Sequence, residues 1–154
     1  MEPRLDLLKT SPAAYNAMLA LQGAVNKCGL DLTLLELVKL RASQLNGCAF
    51  CIAMHVRDAR RHGISDERMH LLNAWRETPA LYSERERAAL AWTEALTFIA
   101  DSHAPDEVYQ QVRAHFSDKE LADLTLAIAT INGWNRLAIA MRKPPQLESL
   151  DQAA

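Results

Sequence analysis

Several absences narrow what this sequence can be. No uninterrupted apolar run approaches the roughly 20 residues that a membrane-spanning helix needs. The opening, Met1-Glu-Pro-Arg-Leu-Asp6, carries both charges where a signal peptide would begin its apolar stretch. There is no basic excess: Lys and Arg number 17 against 19 Asp and Glu, for a net charge of -2. The few basic runs, such as Arg60-Arg61 and Arg142-Lys143, are too short for a nucleic-acid-binding face. No sustained apolar–polar alternation argues for a strand. Three cysteines are too few for a disulfide framework, and cytosolic reductants would keep them as thiols. The expectation is a soluble, cytoplasmic protein with no membrane or nucleic-acid partner.

What is present has helical period. The 154 residues, 49% apolar and 23% charged, suit one globular domain able to bury a core without staples. Ser11-Pro12 marks a helix start and Gly29 a stop. Asp31 can cap a helix whose Leu34, Leu35, Val38 and Leu45 share a face, and Asn46-Gly47 interrupts it. A new helix begins near Cys48 and runs to His62, with Gly63 as its stop. Ser65 caps a short helix to about Trp75. Ser83 to Glu86 matches a capping box, opening a helix to about Ala100. Pro105 begins another, and Ser117 to Glu120 is a second capping box whose helix must end by Pro144-Pro145. The reading is an all-α domain of roughly seven helices over residues 1–154, with a core at about 11–143 and a loose tail at 144–154. Residues Leu40 to Gly47 and Leu126 to Gly133 share an apolar rhythm and an Asn-Gly ending, suggesting a duplicated helical hairpin.

The chemistry concentrates around Cys48-Ala-Phe-Cys51 and His55. The thiolate is the reactive form of cysteine. A cysteine in the first turn of a helix meets unpaired N–H groups and a macrodipole that favour negative charge. Cys51 follows Cys48 by three residues, so both sulfurs share a face and can close a disulfide. His55 lies four residues past Cys51, on the same stripe, where it can take a thiol proton. Its stacking over Cys51 favours attack by Cys51, although Cys48, nearer the helix end, is expected to be more exposed. A fold-back at Asn46-Gly47 would bring Glu36 near the second helix, where a carboxylate could orient the imidazole.

Three readings stand side by side at this point: a redox or disulfide-exchanging enzyme, a redox switch or zinc site of Cys48, Cys51, His55 and Glu36, and a decarboxylase-like enzyme using His55 and Glu36. Other residues read as structural. Cys28 is a small buried hydrophobe near a helix end. His62, His70, His103 and His115 are surface or capping groups. Met18, Met54, Met69 and Met141 fill core. Trp134-Asn135-Arg136, polar groups in an apolar helix, marks a buried polar contact or an interface.

A Cys-x-x-Cys in thioredoxin follows a strand, whereas the residues before Cys48 are helical. The segment instead resembles the AhpD-like branch of the carboxymuconolactone decarboxylase superfamily. That pattern places a Glu twelve residues before Cys-x-x-Cys-x-x-x-His, and Glu36, Cys48, Cys51 and His55 fit it. Ile131 to Arg136 also resembles the terminal helix of small members, so the resemblance spans roughly residues 30 to 140. It implies an AhpD-like helical domain in which a helical hairpin carries the motif, assembled as a trimer or hexamer. It further implies reduction of hydroperoxides through Cys48 and Cys51, with a Glu36–His55 proton relay, no cofactor or metal, and an external dithiol as reductant. Where the family can carry a histidine before the second cysteine, this chain has Phe50, which removes one proton donor. The decarboxylase branch typically lacks the cysteine pair.

Overall fold

In the computed structural model, which describes residues 2–146, local sequence punctuation sets most of the helix ends. The described residues form nine α-helices: α1 (Leu7–Thr10), α2 (Pro12–Asn26), α3 (Leu32–Asn46), α4 (Ala49–Arg61), α5 (Asp66–His70), α6 (Glu84–Thr97), α7 (Ile99–Ser102), α8 (Asp106–Arg113) and α9 (Asp118–Ala140). Two 3₁₀ turns, Leu71–Ala74 and Pro79–Leu81, complete them, and no strand occurs among the described residues. The expected helices correspond to α2 to α6, α8 and α9. The additions, α1 and α7, are single turns. Helix α7 arises because the expected helix to Ala100 breaks at Phe98, whose ψ of 38° leaves helical geometry.

The caps form as the sequence suggests. Ser83 and Ser117 each accept from the N–H three residues on, while Glu86 and Glu120 reach back to the cap backbone. Asp31 accepts from the Leu34 N–H to start α3. Gly47 ends α3 with φ +68°. A Cβ built there meets nothing within 4 Å, so Gly47→Ala acts through backbone strain alone. It should lower stability by about 1 kcal/mol, read as a shift in the urea midpoint with the slope unchanged.

Helix α3 packs against α4, α6 and α9. The one-sided apolar face expected of it was too narrow, because every residue from Leu34 to Leu40 is buried. A helix enclosed on all sides carries any charge in its sequence into the interior, and α3 thereby brings in Glu36 and Lys39. Around it lie two apolar clusters. One joins Leu35, Val38, Ala89, Leu124 and Ile128, and the other joins Leu37, Leu40, Ala59, Leu72 and Leu90. Each such leucine contributes about 1.5–3 kcal/mol through burial.

The suggested duplicated hairpin does not form. Asn46-Gly47 ends α3, but Asn132-Gly133 lies inside α9. A Cβ at Gly133 would approach Met18 Cε to 3.1 Å, so this glycine permits close packing of α2 on α9 where a turn was expected. Residues 144–146 have no regular structure, and the rest of the expected loose tail, 147–154, lies outside the described residues. No helix among the described residues is long and apolar enough to cross a membrane.

Candidate redox site

Glu36 of α3 meets His55 of α4, with Oε2 2.8 Å from Nδ1, and both side chains are buried. The fold-back after Asn46-Gly47 produces this contact. The other oxygen, Oε1, accepts from Lys39 Nζ at 2.9 Å. Burial alone would push the Glu36 carboxyl up, but the His55 hydrogen bond and the charges of His55 and Lys39 outweigh it and hold it below its ordinary value. An ionised Glu36 accepts only, so Nδ1 must donate to it. An imidazole in that tautomer presents Nε2 as a bare acceptor. That nitrogen is buried and has no partner. Sequence reasoning missed Lys39, although its spacing from Glu36 on one helix is a usable signal.

Cys48 is the N-cap of α4, one residue earlier than the first-turn position expected. Its Sγ accepts from the Cys51 N–H at 3.4 Å, standing where a capping oxygen usually does. The Cys51 thiol also hydrogen-bonds to this sulfur. That bond, working against burial and aided by the backbone N–H groups of Cys51 and Phe50, brings Cys48 down to about 7. The same bond and burial push Cys51 well up. The pair therefore shares one proton, with its first negative charge on Cys48. Such a pair is more readily anionic near neutral pH than an ordinary cysteine.

Both sulfurs are buried, Cys48 at 1% and Cys51 at 2% exposure, so Cys48 is not the more exposed of the two as expected. What distinguishes them is a cavity of about 840 Å³, walled by Cys51, His55 and Glu36 but not by Cys48. Met54, Trp134 and Leu137 supply apolar wall. Met54 and Met141, expected as core filler, thus face this space, as does His62. Leu5 and Leu8, outside the expected core, line it too. Phe50 is also on the wall, and the Lys143 ammonium lies 4.2 Å from its ring centroid. Lys143 acts electrostatically to ease ionisation of Cys51. A cation from beyond α9 thus stands where the chain lacks a histidine beside the second cysteine.

The zinc set of Cys48, Cys51, His55 and Glu36 is not the grouping that comes together. Among the described residues, the metal-capable cluster is Glu36, His55 and Asp58, whose ligand atoms lie within 4.8 Å of one another. The Lys39 ammonium already sits against Glu36, which weakens the appeal of that cluster to a cation. Cys28 is half-buried against the core just past α2, close to expectation. Of Trp134-Asn135-Arg136, Asn135 is fully buried and makes polar contacts, Trp134 packs edge-on to Tyr15, and Arg136 is exposed.

An all-helical fold that brings a carboxylate from a central helix to a histidine beside a Cys-x-x-Cys pair defines the AhpD-like class. The sequence pattern of the carboxymuconolactone decarboxylase family matches residues 12–95, more than half of the chain, and the chain belongs to that family. It is 40% identical over 141 residues to YdfG of Bacillus subtilis, an uncharacterised protein, covering 92% of this chain and 95% of that one. A crystal structure from Agrobacterium tumefaciens superposes with a TM-score of 0.93 at 45% identity, covering 96% of this chain and 100% of that one. Its function is unknown, and a role as the antioxidant defence protein AhpD has been suggested for it. An uncharacterised peroxidase-related protein from Ralstonia eutropha, with an alkylhydroperoxidase AhpD core, shares the fold. Its TM-score is 0.77 at 22% identity, covering 90% of this chain and 74% of that one.

Proposed function

We propose that the chain is a thiol-dependent peroxidase that reduces hydroperoxides through Cys48 and Cys51, with Glu36 and His55 as its proton relay. The observation that carries this reading is the placement of Cys51 and His55 on one cavity wall, with Cys48 behind them. A hydroperoxide in the cavity meets the Cys51 sulfur. His55 Nε2 takes the Cys51 proton while Glu36 holds Nδ1. The sulfur attacks the terminal peroxide oxygen, the O–O bond breaks, and the departing alkoxide takes the proton back from His55. The products are an alcohol and a Cys51 sulfenic acid. The Cys48 thiolate then attacks the Cys51 sulfur, forming the disulfide and releasing hydroxide, which is protonated to water. An external dithiol returns two electrons and two protons by thiol–disulfide exchange.

The family likeness supports this chemistry, and the apolar walls suit an organic hydroperoxide. A trimer or hexamer remains part of the reading, supported by the exposed leucines Leu8, Leu19 and Leu32 at the cavity.

The test is stopped-flow oxidation of the reduced protein by an organic hydroperoxide, with free thiols counted. Wild type should lose two thiols per chain, and the resolving step, attack by the Cys48 thiolate, should quicken as pH rises through about 7. His55→Ala should slow the reaction by about 10²-fold or more. Oxidation that is slow and indifferent to His55 would sink the relay. Hydroperoxide turnover surviving replacement of both cysteines by serine would favour the decarboxylase-like use of His55 and Glu36.

A further inference from the structure

The chain leaves α9 by a fixed route that ends at the cavity. The Arg142 N–H donates to the Ile139 carbonyl at 3.1 Å and the Lys143 N–H to the Ala138 carbonyl at 2.9 Å. These two bonds form a Schellman helix end, whose turning residue is left-handed and usually glycine. Arg142 takes that place with φ +53°, which a residue with a Cβ holds only where its surroundings enforce it. Two arginines do so. The Arg4 backbone N–H donates to the Met141 carbonyl at 3.0 Å, and its Nη1 to the Ala140 carbonyl at 3.1 Å. On the other side of Lys143, Arg57 of α4 donates to the Gln146 carbonyl at 2.5 Å. Lys143 is thus carried by a segment pinned at both ends.

Its side chain lies on the cavity wall, with the ammonium 4.2 Å from the centroid of the Phe50 ring. Phe50 precedes Cys51, and both are on the same wall. The other charges of that wall are answered within the protein. Glu36 accepts from His55 and Lys39, and Asp58 accepts from Arg61 at 3.0 Å. Asp6 accepts from the N–H groups of Leu8 and Lys9. Lys143 has no carboxylate partner among the described residues, and a ring face carries no full charge to neutralise it. Beside it, Leu19, Met54, Trp134 and Leu137 make the space of about 840 Å³ largely apolar. A cavity of that size is in the range of small-molecule sites, where a few placed polar groups fix the orientation of an otherwise apolar ligand. One unanswered cation matches one negative charge. A polyanion would meet Glu36, Asp58 and Asp6 with a single lysine to offset them.

We propose that Lys143 and the cavity form a binding site for an amphipathic monoanion, a carboxylate on an apolar body. The ammonium holds the carboxylate beside Phe50, and the apolar body lies against Met54 and Trp134. The proposal deepens the peroxidase reading and rests on it in one respect, that the hydroperoxide meeting Cys51 is then one that carries a carboxylate. Because Phe50 and Cys51 are neighbours, an anion anchored at Lys143 keeps the rest of the molecule within reach of the Cys51 sulfur.

The test uses the reduced protein and no peroxide. Octanoate and octan-1-ol share an apolar chain and differ in charge, and each is titrated by calorimetry into wild type, Lys143→Met and Lys143→Arg. Lys143 is exposed, so its replacement leaves the core intact. Lys143→Met should weaken octanoate by about fivefold, the worth of one partly solvated charge pair, and leave octan-1-ol unchanged. Lys143→Arg should keep the wild-type affinity for octanoate. Octanoate should also slow alkylation of the thiols by iodoacetamide in wild type. Octanoate affinity equal in wild type and Lys143→Met, equal losses for both ligands, or alkylation indifferent to saturating octanoate would each overturn the site. A protein that selects octanoate but consumes no hydroperoxide keeps the site and loses the peroxidase reading. One that consumes hydroperoxides without selecting the anion does the reverse.

Discussion

Cys51→Ser should abolish the consumption of organic hydroperoxide, and Cys48→Ser should stop the reaction halfway. The contrast follows from their positions. Cys51 is on the cavity wall with His55, while Cys48 caps the helix behind it. Without the Cys51 sulfur nothing nucleophilic meets the peroxide on the cavity wall, although the Cys48 sulfur remains behind it. Without the Cys48 sulfur, Cys51 can still be oxidised, but no neighbouring thiolate resolves it. Its sulfenic acid should then accumulate and react with dimedone, giving an adduct visible by mass spectrometry. Cys48→Ser should also ease ionisation of Cys51, because the neighbouring sulfur that pushes it up is gone. A dimedone adduct on Cys48 in the Cys51→Ser protein would reverse the order of attack.

Glu36→Ala should damage both stability and rate, and the two losses are separable. Lys39 and Glu36 are largely enclosed, with side chains 10% and 7% exposed. Removing only the carboxylate leaves a buried ammonium without its partner, which should cost about 3–5 kcal/mol. The double variant Glu36→Ala with Lys39→Met removes both charges and should recover most of that stability, because two well-packed apolar side chains replace an ion pair at little net loss. It should not recover activity, since His55 Nδ1 still lacks the carboxylate that orients the ring. Urea unfolding and the stopped-flow rate measure the two effects. A double variant as fast as wild type would remove Glu36 from the relay.

The same carboxyl predicts an acid dependence. Glu36 binds its proton less readily in the folded protein than in the unfolded chain. The stability it contributes is therefore fully present above the ordinary carboxyl value and is lost as pH falls through the lowered folded value. Glu36→Gln should flatten that part of the stability profile.

Much of the helical order was legible because its signals are local. Capping boxes at Ser83 and Ser117, the cap at Asp31 and the left-handed stops at Gly47 and Gly63 act within one turn of the chain, so the sequence alone contains both partners of each interaction. Helical spacing likewise relates Cys51 to His55 on α4, whereas Cys48, expected on the same stripe, is the N-cap and lies off the cavity wall those two share. The misreadings were non-local. The pattern Leu34, Leu35, Val38 on α3 reads as one apolar face, and only packing by α4, α6 and α9 encloses the opposite face as well. Asn132-Gly133 reads as a stop because Asn-Gly usually is one, but the neighbouring helix α2 at Met18 makes the glycine a packing contact.

By itself, then, the sequence determined an all-α protein, where most of its helices begin, and which cysteines and histidine could share a face. Tertiary structure decided that Glu36 reaches His55 across two helices, that Lys39 and Asn135 are buried beside the site, and that the cavity opens on Cys51. The physical reason is range. Caps, stops and helical spacing are satisfied by residues a few positions apart, whereas the burial of a charge or an amide depends on which helices close over it, and no local pattern carries that information.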